Sequence, residues 1–182
     1  AGTTAGVFAL PLAATMETCM IAKPLELRVP AAVGTPRVNG VLDDPMWGAA
    51  AVMETFARCE SGEPVKTVTA VRLAWDAGSL YLSVDCSEPR MDRVTAATTD
   101  RDAPDMWRDD GVEVFIDPTC DRQHYYQIAV TTTNNVYDGY IRDAAWNSAA
   151  VTAVTRHAGG YRVEMAIPWV AMGLEQAPEP GA

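Results

Sequence analysis

The chain has 182 residues, 48% of them hydrophobic and 21% charged, and its formal net charge at pH 7 is −10. This length and composition are typical of one globular domain with a sizeable core. The acidic balance argues against a nucleic-acid-binding protein, which needs a basic surface, and the apolar run 6–14 is too short to span a membrane. We expect an N-terminal segment at 1–24 (a linker or an edge strand), a domain at 25–174 and a polar tail at 175–182.

The first half of the chain predicts a short helix and then a hairpin. Asp44 is a good helix cap and Pro45 a good first helical residue, so a helix is expected over 45–51. Apolar residues alternate with other residues over 69–75 and again over 80–86. The turn residues 76–79 separate these two runs, which predicts a β-hairpin.

The stretch 112–116 predicts a strand with two different faces. Val112, Val114 and Ile116 share one face, and Glu113 and Phe115 share the other. Such a strand is half core and half binding surface. An aromatic ring beside a carboxylate suits a sugar, because the ring stacks on C–H groups and the carboxylate accepts hydrogen bonds from hydroxyl groups.

The second half continues with short alternating strands. They are expected at 125–131 and 136–141, and a second hairpin at 151–157 and 161–167 turns at Ala158-Gly159-Gly160. A short helical turn over 168–172 is expected to end at Gly173. The elements predict an all-β fold, an antiparallel β-sandwich with one or two short helices.

Five segments resemble, in order, motifs of carbohydrate-binding module family 9-like domains. The opening stretch 36–47 is similar to that family's first motif, and the hairpin around Trp75-Asp76 and Leu80-Tyr81-Leu82 is similar to its second. The stretch Trp107-Arg108-Asp109-Asp110-Gly111-Val112-Glu113, followed by 114–118, resembles the third motif. Tyr125-Tyr126-Gln127 and the closing stretch 161–168 complete the order. The resemblance covers roughly 34–174.

The resemblance implies a jelly-roll-like or immunoglobulin-like sandwich of the wider DOMON-like group. It also implies a sugar held in a cleft between two tryptophans, often near structural calcium. Trp107 matches one stacking tryptophan, and Glu113 matches the acid that hydrogen-bonds the sugar. The second stacking tryptophan of such domains lies C-terminal to Gly173, in strands that are not expected within this sequence. Where some members present an arginine to the ligand, this chain has Ala129 and Thr131.

Other side chains are candidates for the same site. Gln127, and with it Asn147, offers amide hydrogen bonds, and Trp146 is a candidate replacement for the second aromatic platform. Trp47, Trp75 and Trp169 occupy apolar positions of predicted elements and are expected in the core. The carbohydrate-binding set is therefore predicted as Trp107, Glu113, Gln127, Trp146 and Asn147.

Acidic residues cluster between positions 100 and 121, and this cluster is either a calcium site or solvated charge. Asp105, Asp109 and Asp110 are the candidate calcium ligands, although the cluster lacks the EF-hand spacing. Haem b, bound through Met106, Met165, His124 or His157 as in some DOMON-like relatives, is the alternative cofactor. The acids of the cluster are Asp100, Asp102, Asp105, Asp109, Asp110, Glu113, Asp117 and Asp121.

The four cysteines allow up to two disulfides or free thiols, and the sequence does not choose between them.

No nucleophile elbow, P-loop, zinc-protease or dinucleotide motif occurs in the sequence, so an enzyme is not expected. The leading interpretation is a secreted, extracellular or periplasmic binding module without catalysis. It would bind the end of a polysaccharide or oligosaccharide and would be attached to catalytic or cell-surface domains of a longer protein. The alternatives are a haem b electron-transfer domain and a structural or adhesive sandwich without a working sugar site.

A sandwich that ends after the strand 161–167 leaves one sheet edge without the partner that longer relatives have. Exposed edges pair readily with other strands. We therefore expect either 7–14 or 25–29 to form an ordered strand.

Overall fold

The computed structural model describes the backbone of residues 3–4 and all of residues 27–58 and 61–179. The regular elements in these ranges are ten strands and four 3₁₀ turns. No helical element in these ranges is long and apolar enough to cross a membrane. The strands are β1 (Thr3–Thr4), β2 (Arg28–Val29), β3 (Ala51–Met53), β4 (Thr69–Trp75), β5 (Ser79–Ser87), β6 (Gly111–Ile116), β7 (Tyr126–Thr131), β8 (Val136–Tyr140), β9 (Val151–His157) and β10 (Gly160–Pro168). The 3₁₀ turns are Pro45–Gly48, Met91–Arg93, Met106–Arg108 and Trp169–Met172.

The strands form two main antiparallel sheets that share one core. One sheet has five strands in the order β3-β4-β5-β10-β9, and the other has three in the order β6-β7-β8. Apolar side chains of both sheets are buried together, which confirms the predicted all-β sandwich. Its most buried members include Leu73, Leu82, Ile128, Val130, Val163, Met165 and Ile167.

The predicted hairpins β4–β5 and β9–β10 are confirmed, and the first has a clear local cause. In the turn between β4 and β5, one carboxylate oxygen of Asp76 accepts hydrogen bonds from the backbone N–H groups of Gly78 and Ser79. The other oxygen accepts a hydrogen bond from the Tyr81 hydroxyl at 2.8 Å. Burial, and then this bond, raises the pKa of Tyr81 to about 12. Asp76 thereby fixes the turn that sets the register of the hairpin.

The predicted helix at 45–51 is only partly right. The chain turns in 3₁₀ form over Pro45–Gly48 and then enters β3, so Ala51 lies in a strand and not in a helix. Ala51 pairs with Leu73 of β4, and this cross-strand pairing outweighs the local preference for a longer helix. The C-terminal turn is as predicted, with Gly173 in the left-handed conformation that ends it.

The segment 28–31, which precedes the sandwich strands, pairs with other parts of the chain. Arg28–Val29 pairs with Thr3–Thr4, and Ala31 forms a parallel bridge with Trp75 at the end of β4. The expectation of an ordered strand within 25–29 is therefore confirmed for Arg28 and Val29, whereas 7–14 lies outside the described residues. Cys86 and Cys120 are free, and the other two cysteines lie outside the described residues.

Glu164 is a fully buried carboxylate that fastens the first motif to the five-stranded sheet. Its Oε2 accepts hydrogen bonds from the backbone N–H groups of Asn39 and Gly40, each at 2.8 Å, and its Oε1 accepts one from the Trp47 indole at 3.0 Å. Gly40 is required here, because its φ is +78° and a Cβ would lie 2.7 Å from the hydroxyl of Thr155. One acid on β10 thus holds both ends of the 39–47 segment.

We predict that Glu164→Gln lowers the free energy of unfolding by about 2–3 kcal/mol, because an amide N–H₂ would replace one of two oxygens that face only donors. Urea denaturation measures this change. Glu63→Gln on the exposed surface is the matched control and should change stability by less than about 0.5 kcal/mol. Equal stability of the two variants would contradict the anchoring role of Glu164.

Candidate functional site

The candidate site lies on the face of the three-stranded sheet that points away from the core. Alternation along β6 gives Val112, Val114 and Ile116 to the core, and therefore turns Glu113 and Phe115 outward, as predicted. The register places Glu113, Ala129 and Tyr137 side by side in one row across the three strands. Phe115, Gln127 and Gly139 form the next row.

Small residues separate the larger side chains on this face. Ala129, which lies between Glu113 and Tyr137, is buried and contributes only a methyl group. Because neighbouring strands are about 4.8 Å apart, the backbones of Glu113 and Tyr137 are separated by about 10 Å. This spacing leaves a shallow groove over Ala129, with a carboxylate on one side and a phenol ring on the other.

Glu113 and Gln127 act as one hydrogen-bonded pair. The Gln127 amide donates a hydrogen bond to Oε1 of Glu113, and Gln127 itself is only 3% exposed. Burial raises the pKa of the Glu113 carboxyl, while the bond from Gln127 partly opposes this shift. The pair leaves the second carboxylate oxygen of Glu113 without a hydrogen-bond partner among the described residues, so this oxygen is available to accept from a ligand.

Trp107 stands beside the groove with 40% of its surface exposed, a large fraction for a tryptophan. Its ring meets Tyr137 edge to face, with ring centroids 4.8 Å apart and an angle of 67° between the planes. Met106, next to it in the same 3₁₀ turn, is buried and anchors the turn to the protein. The turn that carries Trp107 is thus anchored by Met106, while the Trp107 ring remains accessible to solvent.

The residues that follow this turn are fixed by two aspartates. The Asp109 carboxylate accepts hydrogen bonds from the backbone of Ala97 and from the backbone and hydroxyl of Thr98. These bonds lower the pKa of Asp109. Asp110 accepts a bond from the Thr95 backbone at 2.8 Å and donates its own N–H back to the Thr95 carbonyl. The segment 95–98 therefore braces the turn that carries Trp107.

Tyr137 and Gly139 belong to the site, although the sequence analysis did not select them. A Cβ on Gly139 would lie 2.7 Å from the Tyr137 hydroxyl, so the phenol lies directly over this glycine. Burial raises the pKa of Tyr137, and the nearby acids Asp102 and Glu113 raise it further. The alternation over 136–140 was visible in the sequence, but only the strand register reveals that Tyr137 shares a row with Glu113.

A second aromatic pair extends the outward face. Phe115 meets Tyr125 edge to face, with centroids 5.5 Å apart. Phe115 follows Glu113 by two residues on the same strand, which is about 7 Å along the groove. The outward face therefore offers aromatic surface both beside and beyond the Glu113 carboxylate.

Trp146 lies elsewhere. Its ring packs on Tyr126 at 4.9 Å, against the core side of the three-stranded sheet, and its indole N–H donates to the Ala171 carbonyl. Asn147 is exposed, and its side-chain oxygen accepts a bond from the Ala149 backbone. The structure brings Trp107, Glu113 and Gln127 to one face, and it gives Trp146 a packing role.

The calcium prediction finds no assembled site in the described part of the chain. No group of three or more His, Cys, Asp or Glu side chains is placed there to hold a metal ion. Both oxygens of Asp109 and one oxygen of Asp110 accept hydrogen bonds from the segment 95–98, and calcium binding by Asp105, Asp109 and Asp110 stays a prediction. For haem, Met106 and Met165 are buried whereas His124 and His157 are exposed, which gives that alternative no support.

The family model of the carbohydrate family 9 binding domain-like family matches residues 38–181. Endo-1,4-beta-xylanase A of Thermotoga neapolitana is 32% identical over 142 residues, which are 75% of this chain and 12% of the relative. Exoglucanase XynX of Acetivibrio thermocellus is 30% identical over 161 residues, 85% of this chain and 13% of the relative. The chain therefore spans only about an eighth of the curated relatives that it matches.

Solved structures share the fold. A carbohydrate binding module family 9 domain from Caldicellulosiruptor kristjanssonii, in complex with cellotriose, aligns with a TM-score of 0.55 and 21% identity, over 77% of this chain and 66% of that chain. The same module in complex with glucose aligns equally well. A putative carbohydrate-binding protein from Bacteroides uniformis aligns with a TM-score of 0.54 and 15% identity, over 69% of this chain and 63% of that chain.

We predict that Trp146→Ala and Trp107→Ala differ in their effect on stability. Trp146 packs against the core, so its loss should lower the free energy of unfolding by about 3 kcal/mol. Trp107 is exposed, so Trp107→Ala should lower the free energy of unfolding by less than half as much. Chemical denaturation of both variants measures the difference, and a larger loss for Trp107→Ala would make Trp107 the packing residue.

Proposed function

The chain belongs to the carbohydrate family 9 binding domain-like family, and from this premise we propose that it binds a saccharide on the outward face of the three-stranded sheet. The family is one of binding domains, and the prediction that this domain is not an enzyme is confirmed by the match. The observation that carries the proposed location is the convergence of Trp107, the Glu113–Gln127 pair and Tyr137 around one groove.

Stacking on Trp107 provides the main contact. A pyranose ring has a face of C–H groups, and the exposed indole offers a flat apolar partner for it. Tyr137 meets the Trp107 ring edge to face and so limits the directions in which a sugar can stack. A rigid platform of this kind loses little conformational entropy when the ligand binds.

Polar contacts across the groove orient the sugar. The free oxygen of Glu113 accepts a hydrogen bond from a sugar hydroxyl, while Gln127 keeps the carboxylate in place. The Tyr137 hydroxyl lies on the opposite side. The separation of about 10 Å between the two backbones suits one sugar ring with a hydrogen bond at each side. Phe115 and Tyr125 offer a second stacking surface to the next sugar of an oligosaccharide.

The matched relatives are long xylanases and an exoglucanase, of which this chain corresponds to about an eighth. This relationship supports a role as a module that holds a plant-type polysaccharide or its oligosaccharides close to an attached catalytic domain. We further propose that the protein acts outside the cytoplasm, because the polymers that such enzymes cleave are extracellular. Multidomain attachment raises the local substrate concentration without any new catalytic contact.

Trp107→Ala should weaken binding of cellotriose at least tenfold, about 1.4 kcal/mol, because the stacking surface is lost. Isothermal titration calorimetry measures the affinity, and thermal unfolding verifies that the fold is intact. Val151→Ala, at an exposed position of the other sheet, is the control and should bind as the native protein does. Undiminished binding by the Trp107 variant would move the site away from this groove.

Gly139→Ala should weaken binding about threefold to tenfold and leave stability nearly unchanged. The new methyl group displaces only the far end of the Tyr137 side chain, and Gly139 lacks the positive φ that would strain an alanine. The same titration detects the loss. If displacement of the hydroxyl is the cause, the double variant Gly139→Ala with Tyr137→Phe should bind no more weakly than Tyr137→Phe alone, and a further loss would contradict this.

Binding and stability should respond in opposite directions when Glu113 is neutralised. Its raised pKa means that the folded state binds the Glu113 proton more tightly than the unfolded state does. The stability that this proton adds is therefore fully present below the unfolded pKa and is lost as pH rises through the folded pKa. Glu113→Gln should therefore unfold at a higher temperature at pH 7 than the native protein. It should also bind cellotriose more weakly and lose the decline in affinity that the native protein shows as pH falls towards the Glu113 pKa.

A variant that is less stable than the native protein at pH 7 would contradict this balance. So would a native affinity that stays constant down to pH 4, because the carboxylate would then play no part in holding the sugar.

A further inference from the structure

A cavity of about 310 Å³ lies on the opposite side of the domain from the groove, on the outer face of the five-stranded sheet. The first motif covers one side of it, and the strands β4, β5 and β10 provide the other. This volume is at the lower end of the range for small-molecule sites, which is enough for one monosaccharide unit. Its lining residues are Leu42, Trp47, Gly48, Arg72, Asp85 and Arg162.

The polar groups of this cavity include both donors and an acceptor. Arg162 donates to Oδ2 of Asp85 through Nε at 3.3 Å and through Nη2 at 2.8 Å, and both side chains keep about a quarter to a third of their surface exposed. Only one oxygen of Asp85 is engaged in this way. Because donors and an acceptor lie together, the cavity suits a neutral polyhydroxylated ligand better than a simple ion.

Arg72 has unused hydrogen-bonding capacity beside this pair. Its Nη1 is buried and has no hydrogen-bond partner among the described residues, and the same holds for the hydroxyl of Ser83, its cross-strand partner. Leaving such groups unpaired in a protein interior costs about 1–3 kcal/mol each. Arg72 itself is partly exposed and lines the cavity.

Nearby acids do not satisfy Arg72. Asp85 is paired with Arg162, and Glu164 gives its oxygens to Asn39, Gly40 and Trp47. Two arginines and one aspartate line the cavity, so its hydrogen-bond donors outnumber its acceptors. A ligand hydroxyl is an acceptor for Arg72 and a donor for Asp85 at the same time, and it corrects this imbalance without adding charge.

We propose that this cavity is a second saccharide site, which takes one monosaccharide unit through hydrogen bonds from Arg72 and Arg162 and to Asp85. The inference rests on the proposed function only for the chemical class of the ligand, since its residues are separate from those of the groove. Few of its contacts are aromatic, because Trp47 is 5% exposed, and binding is therefore weaker than at Trp107. With sites on opposite faces, one domain can bridge two polysaccharide chains.

The test is a titration with glucose followed by two-dimensional NMR, in which the indole N–H signals of Trp47 and Trp107 report on the two sites separately. We use Trp107→Ala protein to remove the first site. Glucose should still shift the Trp47 signal in this variant, with a dissociation constant on the order of millimolar or weaker. Arg72→Met, which keeps the aliphatic stem and removes the donors, should weaken this response at least tenfold and leave the Trp107 signal of otherwise native protein responsive.

Arg156→Met is the matched control, because Arg156 is an exposed arginine on β9 that does not line the cavity. Its Trp47 response should equal that of the native protein. A Trp47 signal that does not move in Trp107→Ala protein, or one that moves equally in Arg72→Met protein, overturns the second site. Neither result affects the groove, whose own failure would appear as an unresponsive Trp107 signal in native protein.

Discussion

The three-stranded sheet has only one side that can be used for binding, and the rest of the site follows from this constraint. The five-stranded sheet covers its other side, so the core-facing apolar residues of β6, β7 and β8, such as Val114, Ile128 and Val136, are committed to the shared core. The alternate residues face away from this core. Glu113, Gln127 and Tyr137 occupy such positions, and the strand spacing places them across a groove floored by small side chains. The core thus determines the positions of the proposed binding residues, although no core residue contacts a ligand.

The segments that identify the family serve mainly the fold. Glu164 receives three hydrogen bonds from the 39–47 segment, and Asp76 fixes the hairpin between β4 and β5. Trp75 and Trp169 donate their indole N–H groups to backbone carbonyls at the same end of the sandwich. Each of these contacts requires a particular residue type at its position. The stretch from Trp107 to Glu113 is different, because Trp107 is largely exposed, Glu113 is on the outward face, and the aspartates between them bond to the segment 95–98.

The residues that we propose for binding in this groove occupy positions that do not favour stability. Glu113 is partly buried with a single amide donor, and its raised pKa expresses the cost of keeping the charge there. Trp107 leaves 40% of its surface in water. The well-packed core and the aspartates that fix the 95–98 segment offset these costs. Such local sacrifices of stability are common at sites where the ligand provides the missing contacts.

The sequence alone determined the fold class, the hairpins and the two faces of β6, because a period of two residues and turn chemistry are local signals. It also selected Trp107, Glu113 and Gln127, although their role in binding stays a prediction. It overextended the helix after Pro45, since pairing of Ala51 with β4 is a contact between distant residues. Only the tertiary structure decided that Trp146 packs against Tyr126, that Asp109 and Asp110 brace a neighbouring loop, and that Tyr137 shares a row with Glu113. The physical reason is that register and packing join residues far apart in the chain, and local patterns do not encode which partner each side chain meets.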